Sequence, residues 1–145
     1  MNKKQAERIY RLNCLASDMN GIYHQAALKL GLTDSVMFVL YLLYENHGSI
    51  LLHDVQLQTG ISKQTLNSAV RKLEKEGIIY LTPENAKAKK IHLTSQGEIC
   101  VKNTVARLFD AECNLFDDWD ETETELYITL MEKYNNSLKK QIEKL

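Results

Sequence analysis

The segment from Ile50 to Gly97 constrains the fold of this chain more than any other part of its sequence. Its first half predicts a short helix over Leu51–Thr59, with Gly60 at the turn that follows. Ser62 is a favourable N-cap for a second helix over about Lys63–Glu76. Two short helices joined by so tight a turn indicate a helix-turn-helix.

A β-hairpin is predicted directly after the second helix. Two β-rich runs, Ile78–Thr82 and Lys89–Leu93, enclose the loop PENAKA. In the second run apolar residues alternate with Lys90 and His92, as expected for a strand with one buried face. The whole segment therefore predicts a winged helix-turn-helix.

Two helices are predicted before this segment. In Lys4–Leu30 the apolar and small residues recur every three or four positions, which places them on one stripe, and Gly21 leaves open whether this is one helix or two. Either Thr33 or Asp34 can cap the next helix, which runs to about Glu45. Its centre is apolar on nearly every side, so we expect it to be buried in the middle of the domain.

Two more helices are predicted after the hairpin. The first opens near Thr94 or Ser95, where Ser95 with Glu98 forms a capping-box pattern, and it extends to about Phe116. Asp120 with Glu123 repeats the pattern before the last helix, whose apolar residues again lie on one stripe. The predicted fold is therefore mainly α, with a small two-stranded β-hairpin wing and long helices at both ends.

The apolar stripes of the terminal helices predict a homodimer. A centre of this size cannot easily cover both stripes, whereas the terminal helices of two chains can cover each other. We therefore expect one domain over residues 1–145, with a winged helix-turn-helix lobe at 33–97 and dimerisation helices at 1–30 and 98–145. The residues expected in the dimer interface are Ile9, Leu12, Ala16, Tyr127, Met131, Tyr134, Leu138 and Ile142.

Charge is distributed unevenly along the chain, although the formal net charge is only -1. Between Ser62 and Lys90 there are seven basic and three acidic residues, whereas Phe109–Glu125 contains eight acidic residues and no basic one. A basic patch set against an acidic one orients a protein on a polyanion. A pair of unrelated solvated faces would give the same counts.

The second helix of the helix-turn-helix carries side chains suited to contacts with DNA. Glutamine and asparagine pair with adenine edges, and arginine pairs with guanine. Residues near the start of the helix are better placed for phosphates, which a helix N-terminus attracts. The DNA contacts predicted in this helix and in the wing are Ser62, Lys63, Gln64, Thr65, Asn67, Ser68, Arg71, Lys72, Lys75, Lys87, Lys89 and Lys90.

The chain resembles the MarR (multiple antibiotic resistance regulator) family of transcription factors. TGISKQTLNSAVRKLEKEGII is similar to the family's helix-turn-helix, and IHLTSQG is similar to its strand leading into an LTxxG helix start. The resemblance extends over nearly the whole chain and implies a two-fold dimer in which each wing reaches toward a minor groove. It also implies release from DNA by a small molecule or an oxidant.

The wing departs from the family pattern. The family usually has Asp and Arg separated by one residue there, and the matching positions here are Asn85 and Lys87. Lysine lacks the rigid fork of arginine, so its contact with DNA would be mainly that of a flexible charge. We therefore expect a mobile wing, with sequence specificity carried by the helix from Ser62 to Lys75.

The sequence offers two candidate triggers for release. Aromatic and thioether side chains around an apolar cavity would bind a small ligand, although residues with this helical spacing more often belong to the core. Cys14 lies off the stripe of the first helix and is the candidate thiol for sensing an oxidant. The candidate pocket residues are Met19, Tyr23, Phe38, Tyr41 and Tyr44.

No metal, cofactor or enzymatic activity is predicted. The four histidines show no spacing of four residues along a helix and no nearby cysteine, and neither a nucleophile–base arrangement nor a phosphate-binding loop is present in the sequence. No apolar run is long enough to span a bilayer, and the first residues lack the apolar core of a signal peptide. A cytoplasmic protein is therefore expected.

The sequence predicts a DNA-binding regulator, more specifically a repressor that binds a pseudo-palindromic operator as a homodimer and is released by a small ligand. Its expected partners are double-stranded DNA, a second copy of the chain and a small-molecule effector. Two alternatives stay open. One is a thiol-based oxidant sensor of the same fold, and the other is a winged helix that binds a protein partner instead of DNA.

Overall fold

The computed structural model describes residues 2–145. Contacts within the chain divide it into two units, one up to Leu108 and one from Phe109 to Leu145. In chain order the elements are α1 (Lys3–Leu30), α2 (Asp34–Glu45), β1 (Ser49–Leu51), α3 (Leu52–Thr59), α4 (Lys63–Lys75), β2 (Ile79–Pro83), β3 (Lys89–Leu93), α5 (Ser95–Asn103), α6 (Val105–Cys113), a 3-10 helix (Asn114–Phe116) and α7 (Glu121–Ile142).

The first helix is unbroken. α1 continues through Gly21 and ends at Gly31, whose φ of 69° is readily adopted only by a residue without a side chain. Ala27 is the one buried residue of this helix. The apolar stripe that the sequence predicts is therefore largely uncovered within this unit.

The core is built around α2. Thr33 is its N-cap, with Oγ1 accepting a hydrogen bond from the Val36 amide at 3.3 Å. Asp34 instead joins α2 to α1, because its carboxylate lies 2.9 Å from Nδ1 of His24. The prediction of a buried central helix is confirmed by its buried residues Val36, Met37, Val39, Leu40, Leu42 and Leu43.

The apolar composition of α2 matches this burial. Within residues 2–145 no single helix is long and apolar enough to cross a membrane. Only α1 and α2 taken together reach the required length and composition, and the pair is bent by 87° at the break between them.

The sheet has three strands, whereas the sequence predicts two. β3 lies in the middle, with β1 and β2 antiparallel on either side of it. Ile50 of β1 pairs with Ile91 of β3, and both are buried. β1 takes Leu51, so α3 starts at Leu52. A strand of three residues is too short to show alternation, which is why the sequence pattern missed it.

The hairpin leads into α5 through a close contact between two backbone segments. The N-cap of α5 is Thr94, whose Oγ1 accepts a hydrogen bond from the Gly97 amide at 3.0 Å. Of the two helix starts that the sequence leaves open, the structure therefore has Thr94 and not Ser95 with its capping box. The Thr94 hydroxyl also donates at 2.6 Å to the backbone carbonyl two residues before β2. Gly97 lies so close to Ile78 that a Cβ would overlap its carbonyl oxygen.

The helix predicted to continue to Phe116 is interrupted. Thr104 separates α5 from α6 with φ and ψ of −123° and −94°. Its hydroxyl donates to the Cys100 carbonyl at 2.7 Å, a type of back-bond that often bends helices. α6 then ends at Cys113, and the 3-10 helix follows.

In the second unit α7 begins with the capping box that the sequence predicts. The Asp120 carboxylate accepts from the Glu123 amide at 2.8 Å, and the Glu123 carboxylate accepts from the Asp120 amide at 3.1 Å. Trp119 packs edge-to-face against Phe116 and Tyr127, with ring centroids 5.4 and 5.5 Å away. No residue of α7 is buried within this unit.

Gly97→Ala is expected to destabilise the fold by roughly 1–3 kcal/mol, the usual range for an extra carbon in a packed region. The reason is that the added Cβ would overlap the backbone carbonyl of Ile78, which cannot rotate away as a side chain can. Gly21→Ala is the matched control, since nothing lies within 4 Å of its Cβ position, and it should be neutral or stabilise α1 by up to about 1 kcal/mol. Urea unfolding followed by circular dichroism measures both, and equal stabilities would contradict the close contact at Gly97.

Candidate nucleic-acid interface

α4 turns one face to the core and the other to solvent. Its N-cap is Ser62, whose Oγ accepts a hydrogen bond from the Thr65 amide at 3.1 Å, as the sequence predicts. The inner face packs on α2 and β2. Its buried residues are Leu66, Ala69, Val70 and Leu73.

The outer face of α4 presents unpaired side chains to solvent. Within residues 2–145 the side chains of Gln64, Asn67 and Arg71 make no hydrogen bond or ion pair to other groups. Gln64 and Arg71 are exposed, and Asn67 is half-buried beside them. The other predicted contacts of this helix, all exposed, are Ser62, Lys63, Thr65, Ser68, Lys72 and Lys75.

The hydroxyl groups of α4 are already engaged by the helix itself. Ser62 Oγ both caps the helix and donates to Thr65 Oγ1 at 2.9 Å. Ser68 Oγ donates to the carbonyl of Gln64 at 3.0 Å. The amide, guanidinium and ammonium groups are therefore the side chains of α4 that are free to bind a ligand.

The predicted lysines of the wing follow β3 and the loop before it. In the register of the hairpin, Pro83 pairs with Lys89 and Thr82 pairs with Lys90. Lys87 and Lys89 are exposed, whereas Lys90 is half-buried. The wing thus offers two freely accessible positive charges and a third that is more restricted.

Asn85 organises the tip of the wing. Its Oδ1 accepts hydrogen bonds from the amides of Lys87 at 3.0 Å and Ala88 at 2.9 Å. The Glu84 amide donates to the Ala88 carbonyl at 2.8 Å and closes the same turn. Asparagine is suited to this role because its short side chain bonds to the backbone a few residues ahead. The tip therefore has a specific hydrogen-bonded conformation, where the sequence leads us to expect a mobile wing.

A groove of about 660 Å³ runs between α3, α4 and the wing. Leucines and an alanine form its apolar part, and amide, imidazole and ammonium groups form its polar part. Such a mixture suits a nucleic-acid strand, because apolar side chains can contact its sugars and positive charges can contact its phosphates. The lining residues are Leu51, Leu52, His53, Gln56, Lys63, Leu66, Asn67, Asn85, Lys87, Ala88 and Lys89.

Two groove residues were missed by the sequence analysis. His53 and Gln56 lie on α3, three positions apart, and therefore on one side of that helix. Their spacing indicates that the two side chains lie on the same side of α3, but nothing in the sequence says whether that side faces α4. The structure brings them together with the predicted contacts Lys63, Asn67 and Lys87.

Comparison with known proteins identifies the fold family. Residues 30–90, which span α2 to the start of β3, match a sequence model of the MarR family. The structure of NMB1585, a MarR family regulator from Neisseria meningitidis, is similar with a TM-score of 0.83 at 15% identity, covering 94% of this chain and 97% of that one. The chain has the fold of a MarR-family transcriptional regulator. Curated protein sequences gave no significant match.

Two further MarR-like structures contain bound molecules. The MepR–DNA complex from S. aureus has a TM-score of 0.69 and 22% identity, covering 89% of this chain and 96% of that one. NadR in complex with 4-hydroxyphenylacetate has a TM-score of 0.69 and 16% identity, covering 86% and 89%. At these identities the likeness is one of fold.

The residues predicted to form a dimer interface are exposed within their own units. Ile9 of α1 is 48% exposed and Leu138 of α7 is 46% exposed. The same holds for Leu12 and Ala16 on α1. On α7 it holds for Tyr127, Met131, Tyr134 and Ile142.

The five residues predicted to line a ligand pocket fall into two groups. Tyr23, Tyr41 and Tyr44 are half-buried and pack against the core. Met19 and Phe38 are exposed. Tyr44 also lines a cavity of about 370 Å³ at the junction of α2, β3 and α5. Three of the five residues thus take part in ordinary core packing, the alternative that the sequence leaves open.

The three cysteines are unbridged. Cys14 and Cys113 are exposed, and Cys100 is half-buried. In the part of the chain from residue 2 to 145, no group of three or more His, Cys, Asp or Glu side chains is arranged to hold a metal ion.

Proposed function

We propose that this chain is a DNA-binding transcriptional repressor that acts as a homodimer and leaves its operator when a small molecule binds. The observation that carries the proposal is the outer face of α4. There Gln64, Asn67 and Arg71 have no partner within residues 2–145, on a helix whose other face is fixed in the core. Unpaired hydrogen-bonding groups on a rigid helix are what readout of base edges in a major groove requires.

The groove beside α4 supports the same proposal. A DNA backbone is a row of phosphates joined by sugars, and Lys63, Lys87 and Lys89 line this groove together with apolar side chains. Contacts of this kind fix the position of a protein on the duplex without reading its sequence. MepR, which has the same fold, was crystallised as a DNA complex.

Dimerisation is supported by the uncovered stripes of α1 and α7. Monomeric soluble proteins rarely expose continuous apolar surface of this extent, and a second copy is the partner that offers a matching stripe. A two-fold dimer would present two α4 helices to half-sites about 34 Å apart on one side of the duplex. The operator is therefore proposed to be a pseudo-palindrome.

Release by a small molecule is supported by the aromatic residues where α1 meets α2. Tyr23 and Tyr41 are half-buried against the core, so a ligand that displaced either ring would disturb the packing of the helix on which α4 rests. NadR, of the same fold, binds 4-hydroxyphenylacetate. We propose a small aromatic acid as the first class of effector to test.

Arg71→Ala and Gln64→Ala are expected to weaken binding to the operator by roughly 5- to 150-fold, the range for loss of one bidentate base contact, with little change on random DNA. Lys89→Ala and Lys90→Ala are expected to weaken binding to both DNAs and to reduce the salt slope by about one each. Gel shift on the promoter of the chain's own operon locates the operator, and fluorescence anisotropy at several salt concentrations then measures the affinities.

Two results would contradict this assignment in different ways. Equal losses on operator and random DNA for all four variants would remove the division between base contacts and phosphate contacts. Failure of the wild-type protein to bind any promoter DNA at low salt would remove the proposed function. That result would favour a winged helix that binds a protein partner.

Leu138→Glu is expected to raise the dimer dissociation constant by roughly 100-fold or more, because it places an unpaired charge in an apolar interface. Asn136→Glu is the matched control: it adds the same charge two positions away, on the opposite side of α7. Sedimentation velocity measures both. Unchanged dimers of Leu138→Glu would show that the stripe of α7 does not lie in the interface.

A small aromatic acid that acts as effector is expected to raise Tm and to lower DNA affinity over the same concentration range, because it stabilises the conformation with weaker DNA contacts. Thermal shift with 4-hydroxyphenylacetate and related acids, followed by anisotropy with DNA, measures this. Cys14→Ser is the control and should leave the response unchanged. Release by peroxide alone, abolished in Cys14→Ser, would instead favour oxidant sensing.

A further inference from the structure

We infer that Asn85 is a positioning residue that folds the tip of the wing and so fixes Lys87 at the groove beside α4. The inference rests on the proposed function, because the groove is taken to receive DNA. It concerns how the wing works without the Asp and Arg that the MarR pattern has at these two positions.

The geometry of the turn leaves little freedom to Lys87. One oxygen, Oδ1 of Asn85, accepts from the amides of both Lys87 and Ala88, at 3.0 and 2.9 Å. The backbone bond from Glu84 to the Ala88 carbonyl closes the loop from the other side. The backbone on both sides of the Lys87 Cα is therefore held by hydrogen bonds, which fixes the direction in which the Lys87 side chain leaves the backbone. The Asn85 side chain that accepts these bonds is itself exposed.

Lys87 is well placed to use that direction. It lines the groove together with Lys63 of α4 and Lys89 of β3. Within residues 2–145 it forms no ion pair, so its whole charge is available to a phosphate. A charge on a loop that is already ordered loses less conformational entropy on binding than the same charge on a flexible loop.

The neutral side chain of Asn85 matters as much as its hydrogen bonds. An aspartate accepts the same two amide bonds, but it also brings a negative charge to the groove wall, beside the phosphates that would lie there. With Lys87 unpaired, asparagine keeps the turn and leaves the wing positive.

A double-mutant cycle tests whether Asn85 acts through Lys87. Lys87→Ala is expected to weaken binding to all DNA roughly 3- to 10-fold and to lower the salt slope by about one. Asn85→Ala is expected to weaken binding roughly 2- to 5-fold, since only the ordering of Lys87 is lost. The double variant should bind as Lys87→Ala does, because Asn85 has no effect on DNA binding once the lysine that it positions has been removed. Ala86→Ser, in the same loop, is the control and should bind as the wild type does.

Asn85→Asp separates the turn from the charge. It should keep the turn, bind DNA more weakly than wild type at low salt, and approach wild type as salt screens the added charge. Hydrogen exchange by NMR on the DNA-free protein reports the turn directly. The amides of Lys87 and Ala88 should exchange faster in Asn85→Ala than in wild type or in Asn85→Asp.

The outcomes are distinguishable. Additive losses in the double variant, or unchanged exchange of the two amides in Asn85→Ala, would overturn this inference while leaving DNA binding intact. Absence of DNA binding by the wild-type protein would overturn the proposed function, and with it the role given to Lys87, even if the amides respond as expected.

Discussion

Burial of α2 is the interaction on which the rest of the first unit depends. α1, α3, α4, α5 and the strands β1 and β3 all contact this helix, and half of its residues are removed from solvent. Each fully buried large aliphatic side chain contributes on the order of 1.5–3 kcal/mol, so the helix cannot shift without a large loss of burial. Because α4 packs directly on α2, burial of Leu66 and Leu73 decides which side of α4 is turned outward. The orientation of the candidate nucleic-acid interface is thus a consequence of how the core is filled.

The candidate interface combines two kinds of part. α4 is a capped helix with a fixed inner face, and its free amide and guanidinium groups suit recognition of base edges. The wing contributes exposed lysines on a turn that one asparagine holds, and ammonium groups suit phosphates. The groove between them joins these parts into one surface. Affinity and specificity are therefore expected to come from neighbouring but separable residues.

The terminal helices α1 and α7 leave apolar surface uncovered. Nearly all of α1 and all of α7 are uncovered within their own units, although each has a continuous apolar stripe. A chain with such helices is incomplete as a monomer, since exposed apolar surface favours association.

The sequence by itself determined what local chemistry controls. Ser62 marks the start of α4 because its hydroxyl can accept a hydrogen bond from the amide three residues ahead, and the outer face of α4 follows from its periodicity. Only the tertiary structure decided β1, which exists because β3 lies beside it. It decided between Thr94 and Ser95 as the cap of α5, because the Thr94 hydroxyl donates to the carbonyl of Gly77, just before β2. It also decided which α3 residues face the groove and how the wing turns at its tip. These features depend on contacts between segments distant in sequence, or on one side chain closing a turn, and neither leaves a periodic pattern to read.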